Sequence, residues 1–367
     1  MRKRERFTHS EMNSICDVVV LTWNQLDVVK KCIESFFEKT NIPSRLIIID
    51  NNSCDGTKEY IASLKDTENH QVSIVLNSEN RGFVRGMNQG IALSEAPYVC
   101  LANSDLIFTK DWLKEIILVF EKYPDVGVLN PDSNNLGLRF DKGESLDEAA
   151  ERLKIRESGD FEEMPFCIGF CMLIRRSVIE KVGVLSEEFI PMFFEDTDYS
   201  MKSNQAGYRV GVAKRSYVWH EEHVSLKDIG DKRKEEIFKN SRDVFFKKWG
   251  KILRIAWIVE NYKELVENIN RGIELARNGN FVWFFVKNLK VNKDKIFKEN
   301  GFIKHSGVYF ISYRNRVDLM WKILKKKKRY QPIIVKSRFL GYLFANLGYE
   351  VIKKFDRSKI TEIKKIG

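Results

Sequence analysis

The first 130 residues repeat one pattern, a short β-branched run followed by an amphipathic stretch long enough for a helix. The runs fall at residues 17–21, 45–49, 72–76 and 98–101, and the amphipathic stretches at 26–39, 57–64, 84–93 and 111–123. This alternation predicts a mostly parallel sheet with helices on both faces. Ligands of such sheets bind at the carboxyl ends of the strands. The polar residues of this chain fall there: Thr22-Trp23-Asn24, Asp50-Asn51-Asn52-Ser53, Asn80-Arg81-Gly82 and Asn103-Ser104-Asp105.

Each block has a chemical use and an ordinary structural one. Asp50 follows four apolar residues, so its carboxylate is expected at the exposed rim, accepting hydrogen bonds from a nucleobase or ribose. The same residues also fit a plain turn and helix cap. Asn80-Arg81-Gly82, with Gly86 and Gly90 behind it, permits close backbone approach to a diphosphate, although its spacing is not the dinucleotide fingerprint. Asp105 suits a hard divalent cation, which needs only one or two protein oxygens when substrate phosphates complete its shell. It equally suits a loop aspartate capping the next helix.

Further along, residues 130–163 are rich in Asp, Glu, Asn and Gly, with a short charged helix near 145–156, and read as an excursion or lid. Order returns in an apolar strand at 166–175 with Gly169 inside it. Glu195-Asp196-Thr197-Asp198 sets three carboxylates in four residues. Their mutual repulsion favours one raised pKa and hence a general base, while the helix dipole would favour the same acidic first turn. Two short strands at 209–212 and 216–219 lead to His220, with His223 three residues on.

Composition bounds the rest. Hydrophobic residues make up 43% and charged residues 31%, which excludes a disordered chain. Met1 to Glu11 is basic and polar without an apolar core, so no secretory signal is expected there. No apolar run reaches the length of a membrane span. The six cysteines are scattered, and the Cys167/Cys171 pair has no second pair to complete a zinc site, so reduced core thiols in a cytoplasmic protein are expected. Residues 1–225 carry 27 Lys+Arg against 36 Asp+Glu, and residues 226–367 carry 35 against 15. An acidic front and a basic tail imply different partners.

The blocks occur in a known order. The text VVVLTWNQLDVVKKCIESF, LIIIDNNSCDGT, LNSENRGFVRGMNQGI, YVCLANSDLIFTKDWL, FCIGFCMLIRRSVIEKVG, FFEDTDYSMKSNQAGYRVG and VWHEEHVS resembles the family 2 glycosyltransferases of GT-A fold, in particular bacterial and archaeal rhamnosyl- and galactofuranosyltransferases. The resemblance implies a Rossmann-like mixed, mostly parallel sheet. It implies that Thr22, Asn24 and Asp50 hold the nucleoside of a nucleotide-sugar donor and that Asn80 and Gly82 line the donor. Asp105 would bind the metal as the last residue of the D-x-D-like motif, Asp196 in its Glu195-Asp196 motif would be the catalytic base, and His220 the second metal ligand. Asn103 replaces the first carboxylate of that motif, so Asn103 and Ser104 are expected on the donor and not on the metal. His223 is a rival for the role of His220. The implied reaction is an inverting transfer to a glycan or lipid-linked acceptor, dependent on manganese or magnesium.

The expected organisation is a flexible N-terminus at 1–14, a transferase domain at 15–225, and a mainly helical, basic region at 226–367. In that region residues 338–354 align Phe339, Leu340, Leu343, Phe344, Leu347, Val351 and Ile352 on one helical face, 281–286 is an aromatic run, and 325–329 is a basic block. A helical domain packed on the enzyme, attachment to an anionic membrane surface, and nucleic-acid binding are open to it; no nucleic-acid module is visible. Two other readings compete for the whole chain. A sugar nucleotidyltransferase should carry a Gly-rich basic loop after its first strand, and Thr22-Trp23-Asn24-Gln25 is not one. A non-catalytic nucleotide-sugar-binding or scaffold protein has no need of Asp105, Asp196 and His220.

Overall fold

The computed structural model describes residues 14–137, 141, 143–156, 159–221 and 230–366. The flexible N-terminus expected at 1–14 lies, except for its last residue, outside the described residues, as does His223.

Nine strands form the first sheet: β1 (Cys16–Thr22), β2 (Ser44–Asp50), β3 (His70–Leu76), β4 (Tyr98–Asn103), β5 (Leu106–Phe108), β6 (Val126–Asp132), β7 (Phe161–Glu163), β8 (Cys171–Arg175) and β9 (Arg209–His220). Their order is β3-β2-β1-β4-β8-β6-β9-β5, with β7 also on β9. β1 to β4 pair in parallel, as do β6 and β9, while β8, β5 and β7 run antiparallel to their neighbours. This is the mostly parallel sheet that the strand–helix alternation predicts.

The two-residue period of a strand sorts its side chains between two cores. Val18 and Val20 pack with Val29 and Phe36 of α1 (Leu26–Lys39). Val19, between them, packs on the opposite face with Met87 and Ile91 of α3 (Gly82–Leu93). β2 is divided the same way, Leu46 and Ile48 on one side and Ile47 and Ile49 on the other. The remaining helices of this half are α2 (Thr57–Ser63), α4 (Trp112–Lys122), α5 (Leu146–Leu153), α6 (Arg176–Val182) and α7 (Glu195–Gln205). α5 lies inside the expected lid and opens on a capping box between Ser145 and Glu148.

Two local expectations change. Only residues 171–175 of the expected 166–175 strand are extended, because Asn130 takes the backbone of Ile168 and Cys171 into hydrogen bonds and forces a turn before them. The expected pair of strands ending at His220 is one long strand, β9. A register shift opposite Pro131 and Asp132 gives it the appearance of two.

Beyond residue 230 helices predominate, as expected: α8 (Asp231–Trp249), α9 (Tyr262–Arg277), α10 (Lys293–Glu299), α11 (Arg316–Leu324), α12 (Arg338–Asn346) and α13 (Arg357–Ile366). They surround a second sheet that the sequence reading did not foresee. β10 (Arg254–Val259), β11 (Phe281–Lys287), β12 (Val308–Tyr313), β13 (Ile333–Val335) and β14 (Val351–Ile352) are all parallel, in the order β12-β11-β10-β13-β14. The aromatic run at 281–286 is β11, with Val282, Phe284, Phe285 and Val286 buried. The single helix expected at 338–354 ends at Asn346. Gly348, at φ 74°, turns the chain, and Val351 and Ile352 enter the sheet. No helix among the described residues is long and apolar enough to cross a membrane.

Candidate active site

The carboxyl ends of β1, β2 and β3 are stitched together by short polar side chains. Asp50 ends β2 fully buried, not exposed at the rim as its position suggested. The Thr22 hydroxyl donates to its Oδ1 at 3.0 Å, the Ser53 hydroxyl donates to the same oxygen, and the Ser53 amide donates to Oδ2 at 2.9 Å. Three donors close over the charge and make its burial tolerable. Asn24, at φ 56°, accepts the Cys54 amide on its side-chain oxygen at 2.8 Å, and its own amide donates to Ser53 Oγ at 2.7 Å. Thr22, Asn24, Asp50 and Ser53 are therefore one rigid turn pair beside the cleft.

Asn51 and Asn80 extend it. Asn51 Nδ2 donates to Asn80 Oδ1 and to the Gly82 carbonyl, both at 3.2 Å, and Asn80 Oδ1 also accepts the Gly82 amide at 2.9 Å. Gly82 has φ 77°, a backbone setting other residues rarely adopt. Gly86 and Gly90 do not face a ligand. They lie on the sheet side of α3, where an added Cβ would stand 2.3 Å from Leu21 and 2.1 Å from Val19.

Ser104 and Asp105 form the tight turn from β4 into β5. Because β5 pairs with β9 and sets Leu106 opposite His220, residues 115 positions apart meet. His220 Nε2 stands 3.0 Å from Asp105 Oδ1 and 3.4 Å from Asn103 Nδ2. On the other side of the ring, Nδ1 lies 2.7 Å from the Asn135 amide, and Asn134 brackets the His220 backbone at both its amide and its carbonyl. The expected lid thus contributes directly to the site.

Asn135 tests whether this pair fits a cation. Its side-chain oxygen is buried without a partner. Turning the amide over, an assignment the hydrogen-bond network decides, lets that oxygen accept a hydrogen bond from the Nδ1–H group and leaves the Nε2 lone pair facing the Asp105 carboxylate. A lone pair and a carboxylate oxygen at that separation require a proton or a cation between them. The donor set, one imidazole nitrogen and carboxylate oxygen, suits manganese or magnesium when phosphate oxygens supply the rest. Among the described residues, no group of three or more His, Cys, Asp or Glu forms a metal cluster.

Glu195 and Asp196 open α7 and line a small hollow with Phe83, Leu101, Gly169, Met172 and Leu185. Their surroundings differ. Glu195 is buried among those apolar side chains with Oε2 unpartnered, and burial, reinforced by the charge of Asp196, pushes its pKa up to about 8. Asp196 is half-buried. Burial raises its pKa too, against the opposing pull of the Gly169 amide on Oδ2 at 2.7 Å and the Thr197 amide on Oδ1 at 2.6 Å. Asp198, the third carboxylate, points away and pairs with Lys248 and the Trp249 indole.

The turn 167–170 binds the two centres to each other. The Gly169 amide holds Asp196, while the Phe170 ring stacks on His220 with centroids 5.4 Å apart and the Phe170 carbonyl accepts the Asn103 amide at 2.8 Å. Buried Asn130 fixes this turn from below, and Ser200 Oγ accepts the Cys167 amide at 3.0 Å. Sequence reasoning missed Ser53, Asn130, Asn134, Asn135 and Phe170. The four polar ones had no signal beyond a cluster of short polar residues near strand ends, and Phe170 had none.

The segment that carries most of this site matches a known family: residues 17–183 fit the profile of Glycosyl transferase family 2. The chain is 28% identical over 198 residues to the O-antigen chain rhamnosyltransferase WbaN of Salmonella anatum, covering 51% of this chain and 59% of that protein. It is 26% identical over 200 residues to the poly-beta-1,6-N-acetyl-D-glucosamine synthase of Staphylococcus aureus, covering 54% and 47%. The chain therefore spans about half the length of these relatives. A solved mannosyltransferase from Pyrobaculum calidifontis, in complex with GDP-Man and Mn2+, aligns with a TM-score of 0.46 at 17% identity over 58% of each chain. Residues 17–183, which build most of the site, thus belong to glycosyl transferase family 2.

Proposed function

We propose that the chain transfers a sugar, with inversion, from a nucleotide-diphosphate sugar to a hydroxyl of a glycan or lipid-linked glycan, in the synthesis of polysaccharide or glycoconjugate. The observation that carries this reading is the Gly169-Phe170 turn, which fixes a carboxylate suited to proton removal against a pair suited to a diphosphate-bound cation. Residues 15–225 form the transferase domain in this reading, and 226–367 a separate region.

Thr22, Asn24 and Asp50 shape the nucleoside pocket, Asp50 acting through the turn it braces. Asn80, Gly82, Asn103 and Ser104 line the donor. Asp196 takes the proton of the acceptor hydroxyl as that oxygen bonds to the anomeric carbon and the bond to the diphosphate breaks on the opposite side. Donors on both Asp196 oxygens aim it and counter the burial that raises its pKa, while neutral Glu195 spares it a second negative neighbour. Asp105 and His220 would hold the divalent ion, manganese or magnesium, which supplies positive charge for the departing diphosphate. A lipid-linked acceptor would place the enzyme in the cytoplasm at a membrane face.

A thermal-shift screen of nucleotide sugars, with and without manganese, tests the donor because a ligand that binds the folded state raises the melting midpoint. The expected result is a manganese-dependent rise for one donor class, and an Asp196→Asn variant that still shows it but no longer transfers sugar. Absence of a shift with any nucleotide sugar, or transfer at full rate by Asp196→Asn, would overturn the reading.

A further inference from the structure

We propose that α11 and α12 form a docking surface for an anionic lipid bilayer, outside the catalytic cleft and independent of the assignments made there. On α11, Val317, Trp321 and Leu324 recur at the spacing of one helical face and are 79%, 58% and 48% exposed. Leu319 and Ile323, on the opposite face, are buried in the core of the second sheet. On α12, Phe339 and Tyr342 are 57% and 70% exposed, while Leu340 and Phe344 are buried.

The two exposed faces are one patch. The Arg316 guanidinium at the start of α11 lies over the Phe339 ring of α12, 5.0 Å from its centroid. Lys325 covers Trp321 in the same way at 3.5 Å. Around this apolar ridge runs a basic border. Residues 316–348 contain nine Lys and Arg against a single acid, Asp318, which is spent on Lys322 at 3.0 Å. Lys325, Lys326, Lys327, Lys328 and Arg329 form an exposed block at the end of α11.

Charge chooses the occupant. A second copy of this surface would bring like charges together and is repelled. A nucleic acid would match the lysines and could stack on Trp321, but offers nothing to the aliphatic ends of Val317 and Leu324. A bilayer satisfies both parts: anionic headgroups meet the lysines, and Trp, Tyr, Phe and aliphatic side chains enter the boundary between headgroups and acyl chains. The buried strand β11, the other aromatic run of this region, is not available for such contact.

Sedimentation of the full chain with phosphatidylcholine vesicles, with and without about a third phosphatidylglycerol, tests this. The expected result is binding to the anionic vesicles only, weakened by salt. A Trp321→Ala/Phe339→Ala variant and a Lys326→Glu/Lys327→Glu/Lys328→Glu variant should each lose roughly tenfold or more in affinity. The lysine variant alters only exposed side chains, and a melting midpoint equal to that of the unmodified chain reports an intact fold. Vesicle binding unchanged in both variants, no binding to anionic vesicles by the unmodified chain, or preference for a single-stranded oligonucleotide over vesicles would each overturn the proposal. None of these outcomes touches the donor assay, so the catalytic reading fails or stands separately.

Discussion

His220 Nε2 lies 3.0 Å from Asp105 Oδ1, although the two residues are 115 positions apart in the sequence. The pairing of β5 with β9 brings them together, and Asn135 sets the ring from behind at 2.7 Å. In the proposed reading His220 holds the ion, and loss of a partner that fixes the second nitrogen of a ligating histidine typically costs about 10–100-fold in metal affinity or activity. Asn135→Leu should therefore raise the manganese concentration needed for half-maximal transfer by roughly that factor. The rate at saturating manganese should change little. An unchanged activation curve would show that Asn135 does not orient the ring.

Glu195 gives a prediction with a definite sign. Its folded pKa of about 8 lies above the ordinary glutamate value, because burial disfavours its charge. A raised pKa contributes stability that is fully present below the unfolded value and is lost as pH rises through the folded one. Glu195→Gln should remove this slope. The variant should match the unmodified protein near pH 5 and exceed it by a few kcal/mol near pH 9 in urea unfolding. Parallel stability curves for the two proteins across this range would place the Glu195 carboxylate in a more solvated setting.

How much of this was legible beforehand depends on the scale of the cause. The first sheet could be read because β-branched runs and amphipathic stretches alternate at the periods their geometry demands, and each strand ends in a polar block. Asp105, Asp196 and His220 could be singled out by type and position. Asn130 and Asn135 could not. An asparagine in a polar excursion looks like any loop residue until its partner, here Ile168 or His220, is placed beside it by pairing of distant strands. Asp50 was located correctly, but its burial depends on Ser53, which closes over it only in three dimensions. The second sheet was missed for another reason. Parallel strands buried on both faces, such as β11, are short unbroken apolar runs, and these cannot be told from buried helix by periodicity.

Gly90 holds α3 against β1. A Cβ there would stand 2.1 Å from Val19 Cγ1, whose own side chain is fully buried. Neither backbone nor Val19 can yield without moving the helix that starts at Gly82. Gly90→Ala should cost about 1–3 kcal/mol through overpacking, despite the better helix propensity of alanine. Gly183→Ala is the counterpart, since nothing lies within 4 Å of an added Cβ there and its cost, set by φ 81°, would be backbone strain alone. Val19→Ala should recover much of the loss at position 90 if steric conflict is the cause. A double variant no more stable than Gly90→Ala would point away from it.

Glu163 joins the two sheets and is itself almost wholly buried. Its backbone accepts the Ser306 amide and donates to the Lys304 carbonyl, both at 2.8 Å. Its carboxylate takes two hydrogen bonds from Arg277 of α9, at 2.7 and 2.8 Å, and a third from Arg209 of β9 at 3.2 Å. Breaking a buried pair from one side leaves an uncompensated charge, whereas replacing both partners by apolar groups is often close to neutral. Arg277→Met alone should therefore destabilise the chain, by less than the roughly 3–5 kcal/mol of a fully uncompensated buried charge because Arg209 still pairs with Glu163. Adding Glu163→Leu should restore a large part of it, since Arg209 keeps a second carboxylate in Asp125. Urea unfolding of the single and double variants separates the cases. Equal losses would mean that Arg277 acts through the packing of its aliphatic stem, and a smaller loss in the double variant that the buried carboxylate is what Arg277 is there to neutralise.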